Sequence, residues 1–242
     1  MKKFGNIHEA YAGVLSDVCY DWEFETAPRG LPIKEVTDYM FEVNKPIVEP
    51  VVTADNDRNR VIARYTKKEI ELYDSCSNKV EDFARASKFW NHIANSDGTV
   101  NSAYGYLIWK KQSLGNKKFG GSPMTPWTWC VNSLKADKDT RQAILRFSLP
   151  EHHFPNNKDF VCTSHANFLI RDNKLSITVV MRSNDIVKGL IYDMVWFISL
   201  IDKMKEELKD VYPDLQTGTY RHLSHSMHMY TKDTEVVEGM LG

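Results

Sequence analysis

The sequence is short of cysteine, has no long apolar run and carries no excess charge of either sign. Its four cysteines, Cys19, Cys76, Cys130 and Cys162, contain no C-x-x-C pair, which excludes a paired-cysteine zinc motif and a thioredoxin-type motif. In a reducing compartment none would form a disulfide, and each reads by default as a small buried apolar residue. Thirty-one basic residues against 32 acidic ones leave a net charge of −1, so no global basic field exists to hold duplex nucleic acid. The longest apolar stretch, Leu190 to Ile201, is interrupted by Asp193 and Ser199 and falls short of the roughly 18 residues that a membrane helix needs. Lys2 and Lys3 are followed by no apolar segment of the kind that exports a chain. No repeat, low-complexity tract or Gly/Ser linker divides the chain. The expectation is one soluble domain over 1–242, cytoplasmic, binding small molecules and no membrane.

What is present is a mixture of helix and strand signals. Ile7 to Val18 has a helical apolar face, and Tyr20 to Pro32 has loop composition. Glu35 to Glu49 fits either helix or strand. Thr66 to Ala94 reads as helix in two pieces, broken near Ser75 to Asn78, with a turn at Asp97-Gly98. Arg141 to Phe147 alternates like a strand. Phe160 to Ile170 and Leu175 to Met181 are β-rich runs joined by Arg171-Asp-Asn-Lys174, a hairpin signal. Asp193 to Lys209 is an apolar-faced helix. With no regular βαβ rhythm, the pattern predicts an α+β fold.

Several clusters carry chemistry on their residue types alone. Cys162, at the start of the hairpin, is either an inert strand cysteine or a nucleophile. Arg182-Ser183-Asn184-Asp185 is either a solvated turn or an anion site, because a guanidinium fork matches phosphate oxygens. Thr66-Lys-Lys-Glu69 fits a helix capping box, or Glu69 is a general acid or base that manages a water. His222, His225 and His228 are three apart. On a strand at most two of them converge, so they predict no metal site. The lysines of Lys110 to Lys118 suit a solvated loop, or one that meets an anionic tail.

These pieces stand in an order that resembles the thymidylate synthase superfamily. The family pattern is a nucleophilic Cys, a hairpin, then Arg-Ser-x-Asp-x-x-x-Gly. Here it reads Cys162-Thr-Ser-His, Ile170-Arg-Asp-Asn-Lys-Leu, Met181-Arg-Ser-Asn-Asp-Ile-Val-Lys-Gly189 and Asp193. Phe89-Trp90, Asp97-Gly98 and Asn101-Ser-Ala-Tyr104-Gly105 resemble the family's Trp and Tyr-Gly segment. Asp139-Thr-Arg141 resembles its phosphate-arginine motif, His228-Met-Tyr230 its His-x-Tyr, and Pro28-Arg29-Gly30 its N-terminal phosphate arginine. Within the superfamily, the chain looks most like the branch from phages that hydroxymethylates deoxycytidylate. Cys162 is followed by Thr where synthases have His. Asp193 stands where they carry the uracil-reading Asn.

The resemblance implies a thymidylate synthase-like fold, with a central mixed β-sheet flanked by helices and a homodimer formed through the sheet. It implies that Arg29, Arg141, Arg182 and Ser183 hold a 5′-phosphate, Arg141 coming from the partner subunit, and that His228 and Tyr230 bind the deoxyribose. Gln142 replaces the second of two consecutive arginines common in the family. Cys162 would add to pyrimidine C6 as a thiolate favoured by the arginines, and Glu69 would manage water and protons. Trp90, Tyr104, Asp185 and Gly189 would line the site of 5,10-methylenetetrahydrofolate, the one-carbon donor, with no metal. Asp193 would read the base. Cytosine accepts at N3 and donates at N4, the reverse of uracil, and a carboxyl group sharing one proton with N3 satisfies both positions. Ile93, in place of a second Trp, and the chain's end at Gly242 imply room for water, and thus hydration of the transferred carbon rather than reduction to methyl. A phage origin would place the protein in the host cytoplasm.

Overall fold

In a computed structural model, which describes residues 1–111 and 122–242, the chain opens with a short strand β1 (Lys2–Phe4) and a helix α1 (Ile7–Tyr20). The Asn6 side chain starts α1 by accepting from the amides of His8 and Glu9. Ile7, Ala10, Tyr11, Val14, Leu15 and Val18 are its buried stripe. The loop read at 20–32 contains a strand, β2 (Phe24–Thr26), which pairs with β3 (Ile33–Val43), and the ambiguous stretch after residue 35 is therefore strand up to Val43.

Helix α2 (Asn56–Asp74) begins ten residues before Thr66. Its N-cap is Asp55, which accepts from the amides of Asp57 and Arg58. Thr66 is thus buried in the middle of the helix with its hydroxyl unpartnered, which removes the capping-box reading. Ile62, Thr66, Glu69 and Tyr73 share one buried stripe, so Glu69 is a carboxyl group on an inward face. The expected break follows, then α3 (Val80–Ala86) and α4 (Trp90–Ile93). After α5 (Pro126–Ala136) come β4 (Ile144–Arg146), shorter than the alternation suggests, β5 (Thr163–Arg171) and β6 (Lys174–Met181). Asp172 and Asn173 turn the β5–β6 hairpin with φ of 49° and 56°, the left-handed pair that matches strand twist. A two-residue strand β7 (Asn184–Asp185) and a π-helical turn (Ile186–Leu190) lead into α6 (Ile191–Leu208). The long strand β8 (Gln216–Tyr230) and α7 (Thr234–Leu241) complete the described chain. Of the lysine-rich stretch 110–118, the part after 111 lies outside the described residues.

The sheet runs β1-β3-β8-β6-β5-β4, with β2 added to β3 and β7 to β8. It is mixed: β1–β3, β6–β8 and β7–β8 are parallel and the others antiparallel. Helices α1 and α6 pack on one face, where α6 buries Met194, Val195, Trp196, Phe197, Ile198 and Ile201. The opposite face presents a half-exposed row that includes His165, Asn167, Thr178, Val180, Arg221 and Leu223. Behind the first turn of α6, Tyr73, Tyr104, Phe147, Trp196 and Phe197 form an aromatic cluster; Tyr73 and Tyr104 stack with centroids 5.2 Å apart. Gly105 permits this approach, since a Cβ there would lie 1.7 Å from the Tyr73 carbonyl oxygen. No helix among the described residues is long and apolar enough to cross a membrane.

Candidate active site

Cys162 is the residue before β5, and the Arg182 amide donates to its carbonyl oxygen at 2.9 Å, so the end of β6 is tied to the thiol. Arg182 Nη2 lies 3.4 Å from Cys162 Sγ, and the guanidinium also donates to the carbonyls of Phe160 and Val161. Arg182 Nη1 is 3.4 Å from Ser183 Oγ. The guanidinium therefore arrives already oriented, with its outer side exposed. Arg182 pulls Cys162 toward the thiolate, but burial opposes it more strongly. Burial pushes the thiol above its ordinary pKa and outweighs the opposing pull of Arg182, while Asp193 and Asp159 push it further up. In the unliganded protein the balance of these effects favours the thiol form of Cys162. All four cysteines are free, and Cys76 and Cys162 are half-buried rather than core residues.

Asp193 lies in the first turn of α6, and its Oδ2 accepts from Asn184 Nδ2 at 2.7 Å. Burial raises its pKa to about 7, against the lowering effect of Asn184. Gly189 makes room for the pair: a Cβ there would lie 3.2 Å from Asp193 Oδ2 and 3.3 Å from Asn184 Nδ2. Glu69 approaches from α2. Its pKa is raised to about 8, first by burial and then by Asp193, with a Tyr65 hydrogen bond opposing. Two neighbouring carboxyl groups in a dry pocket cannot both ionise readily, so the site holds protons at neutral pH. The thiol, two protonatable acids and a guanidinium are therefore brought together from four chain segments.

The remaining expected residues are distributed around this centre. His228 sits beside Asp185 in the β7–β8 register, with Nδ1 3.2 Å from the Ser226 carbonyl oxygen and Tyr230 edge-on at 5.8 Å. Lys188 Nζ lies over the Tyr230 ring at 4.8 Å. Asp185 Oδ1 accepts from the amides of Val187 and Lys188, so one of its oxygens already caps the turn into α6. Trp90 is 8% exposed and packs edge-on against Phe83, and its buried indole N–H lies by the Tyr65 hydroxyl. The Tyr104 ring is enclosed in the aromatic cluster, and its hydroxyl accepts from Thr163 Oγ1 at 2.9 Å, so only its polar end bears on the site. Exposed Arg29 occupies a left-handed position, φ 56°, four residues before Ile33, the partner of Tyr230. Arg141 is not at this centre. It precedes Ile144, which pairs with Asn167, and the neighbouring Asp139 carbonyl accepts from Arg171 at the far end of β5. Eight residues of strand from Cys162 to Ile170 correspond to about 26 Å.

The thymidylate synthase family pattern matches residues 10–242. The chain belongs to the thymidylate synthase family. It is thus one of a family of one-carbon transferases. It is 29% identical over 223 residues to the deoxycytidylate 5-hydroxymethyltransferases of Enterobacteria phages T6 and T4, covering 89% of this chain and 83% of each relative. It is 26% identical over 230 residues to the deoxyuridylate hydroxymethyltransferase of Bacillus phage SP01, covering 93% of this chain and 57% of that protein. The thermostable thymidylate synthase A of Bacillus subtilis has the same fold, with a TM-score of 0.73 at 17% identity over 97% of this chain and 84% of the other. The family fold expected from the motifs is therefore the one observed.

The sequence reading gave Tyr65 and Thr163 no place in the site, and named Asn184 only as part of a polar stretch, with no role of its own. Tyr65 had a signal, since it lies one helical turn from Glu69. Asn184 had none, because a buried amide and a solvated one look alike in a polar stretch.

Glu69→Gln tests the buried acid by two readouts. An acid whose folded pKa is raised from 4.5 to about 8 favours folding fully below pH 4.5, and that contribution is lost as pH rises through 8. Wild-type Tm should therefore fall between about pH 5 and 8 more steeply than that of Glu69→Gln. Turnover of the variant should drop about a hundredfold or more, the scale of a lost general acid or base. Normal turnover with a lower Tm would return Glu69 to a structural role.

Proposed function

We propose that the chain transfers a one-carbon unit from 5,10-methylenetetrahydrofolate to C5 of dCMP, with water completing 5-hydroxymethyl-dCMP. The observation that carries this reading is Asp193, a buried carboxyl group with a pKa raised to about 7, held by Asn184 and near enough to Cys162 to act on its thiol. In its neutral form it donates to cytosine N3 while its other oxygen accepts from N4. Uracil presents N3–H and O4 there and would leave buried polar groups mispaired, each at about 1–3 kcal/mol.

The residues present fit a folate. The buried Trp90 indole N–H lies by the Tyr65 hydroxyl and meets no acceptor at close hydrogen-bond geometry among the described residues, and Asp185 Oδ2, 3.9 Å from Lys188 Nζ, can still accept from a donor. Trp90, Asp185 and the hydroxyl end of Tyr104 would hold it, with Gly189 beside them. When bound, it supplies an electrophilic one-carbon unit.

The rest is the work of the protein's own groups. Arg182, Ser183 and Arg29 bind the 5′-phosphate, and His228 and Tyr230 the deoxyribose. Cys162 passes its proton to water, and Arg182 stabilises the thiolate that forms. The sulfur adds to C6, electron density moves to C5, and Asp193 steadies the ring at N3. Glu69, neutral below about pH 8, holds a proton and orients water. Once C5 carries the new carbon, loss of the C5 hydrogen as a proton and departure of tetrahydrofolate would leave an exocyclic methylene; water adds to it, gives up a proton to solvent, and the electron pair returns to C5. The C6–S bond then breaks and Cys162 is restored. The setting is the cytoplasm of the cell, the host's if the gene is viral.

Mass analysis of products from dCMP, dUMP and CMP, each with methylenetetrahydrofolate, tests the reading. The expected product is 5-hydroxymethyl-dCMP with tetrahydrofolate. Formation of 5-methyl-dCMP and dihydrofolate would overturn the hydration step in favour of a reductive methyltransferase. A dUMP-directed hydroxymethyltransferase is the second reading, favoured by the similarity to the phage SP01 protein.

The half-exposed sheet face, with Arg221 Nε donating to Glu42 Oε2 at 2.6 Å, suits a homodimer in which Arg141 reaches the partner's phosphate site. Arg141→Ala and Cys162→Ser should each be inactive alone. Mixed and refolded together they should regain roughly a quarter of wild-type activity, since one of four sites in the statistical mixture is intact. No regain would place Arg141 outside the site.

A further inference from the structure

Asn184 is 3% exposed, and its two amide atoms differ sharply. Nδ2 donates to Asp193 Oδ2 at 2.7 Å, while Oδ1 is buried with no hydrogen-bond partner among the described residues. An unpaired buried acceptor calls for a donor. The backbone of β7 holds the amide in place by pairing with β8 at Met227, and Gly189 leaves it space on the other side. The hydrogen bond to Asp193 also decides which carboxyl oxygen carries the proton. Oδ2 is occupied as an acceptor, so the proton of the neutral acid sits on Oδ1.

We propose that Asn184 is a second base-reading residue: its Nδ2 anchors Asp193 Oδ2, and its free Oδ1 accepts a hydrogen from the exocyclic amino group of a 4-aminopyrimidine nucleotide. The inference rests on the cytosine reading above and adds a residue to it. The amino group has two hydrogens, one for Asp193 and one for Asn184, so both are satisfied in the closed pocket. A 4-oxo pyrimidine would set its O4 acceptor against the Asn184 acceptor. Discrimination would then come from two residues on different elements, β7 and α6, and not from the carboxyl group alone.

The experiment compares wild type with Asn184→Ala and Asn184→Ser by tritium release from C5-labelled dCMP and dUMP, with Tm measured for each protein. The dCMP:dUMP ratio of kcat/KM should fall at least about tenfold, through loss on dCMP. The alkaline limb of the dCMP profile should move to higher pH, because the Asn184 donor holds the Asp193 pKa down. Asp193 is also faced by Asp185 from β7, Glu69 and Tyr73 from α2, Tyr220 from β8, Tyr104 and Cys162, all of which remain in the variants. Equal losses on both nucleotides with an unmoved limb would overturn the proposal and leave Asn184 a packing residue. If Asn184→Ala does not fold, Asn184→Ser, which keeps a small polar side chain, decides. If wild type releases tritium from neither nucleotide, the catalytic reading fails. Calorimetric binding of dCMP and dUMP then still judges Asn184, with an unchanged affinity ratio counting against it.

Discussion

Cys162→Ser should lower tritium release from C5-labelled dCMP by at least about a thousandfold, or roughly 4 kcal/mol of barrier. A hydroxyl in the same place needs a base strong enough to take its proton. The neighbouring acids, raised to about 7 and about 8, are weak bases by comparison. Arg182 aids a thiolate at 3.4 Å but cannot ionise an alcohol. The substitution is nearly isosteric, and the half-buried side chain has room, so Tm should hold within a few degrees. The variant should still be stabilised by dCMP, because Arg182 and Ser183 are untouched. Turnover within tenfold of wild type would remove Cys162 from the chemistry.

Asp193→Asn should invert the base preference, with the dCMP:dUMP ratio of kcat/KM falling about a hundredfold or more. A site built to satisfy one hydrogen-bonding edge rejects the reverse edge because its own buried groups go unpaired. The wild-type rate on dCMP should also decline above about pH 7, as the carboxyl group ionises and loses the proton for N3. That limb should be absent in the variant. An unchanged ratio, read from competing nucleotides in one reaction, would show that Asp193 does not read the base.

Much of this was legible in the sequence wherever a pattern had one physical solution. Asp172-Asn173 specifies a left-handed two-residue turn, and the hairpin formed there. The apolar periodicity after Asp193 specifies a buried helix, and α6 lies within two residues of it. Patterns with two solutions misled. Thr-x-x-Glu is a capping box only at a helix start, and the polar run 56–65 concealed that α2 had already begun at Asn56. The strand β3 stayed ambiguous because its half-buried polar residues break the alternation. At the site, the ordered motifs pointed to Cys162, Arg182 and Asp193, which the fold brings together, but sequence displays charge and not burial. The guanidinium beside the thiol was therefore visible, and the desolvation that outweighs it was not. Arg141 illustrates the reverse: the family motif marked it, while its position at the far end of β5 emerges only from strand register.

The burial that pushes the Cys162 thiol up has a consequence for durability. Peroxides and alkylating reagents attack the anionic sulfur, and a thiol held above its ordinary pKa offers them little of it. A thiol pushed up in this way should react more slowly with peroxides and alkylating reagents at neutral pH than an ionised cysteine does.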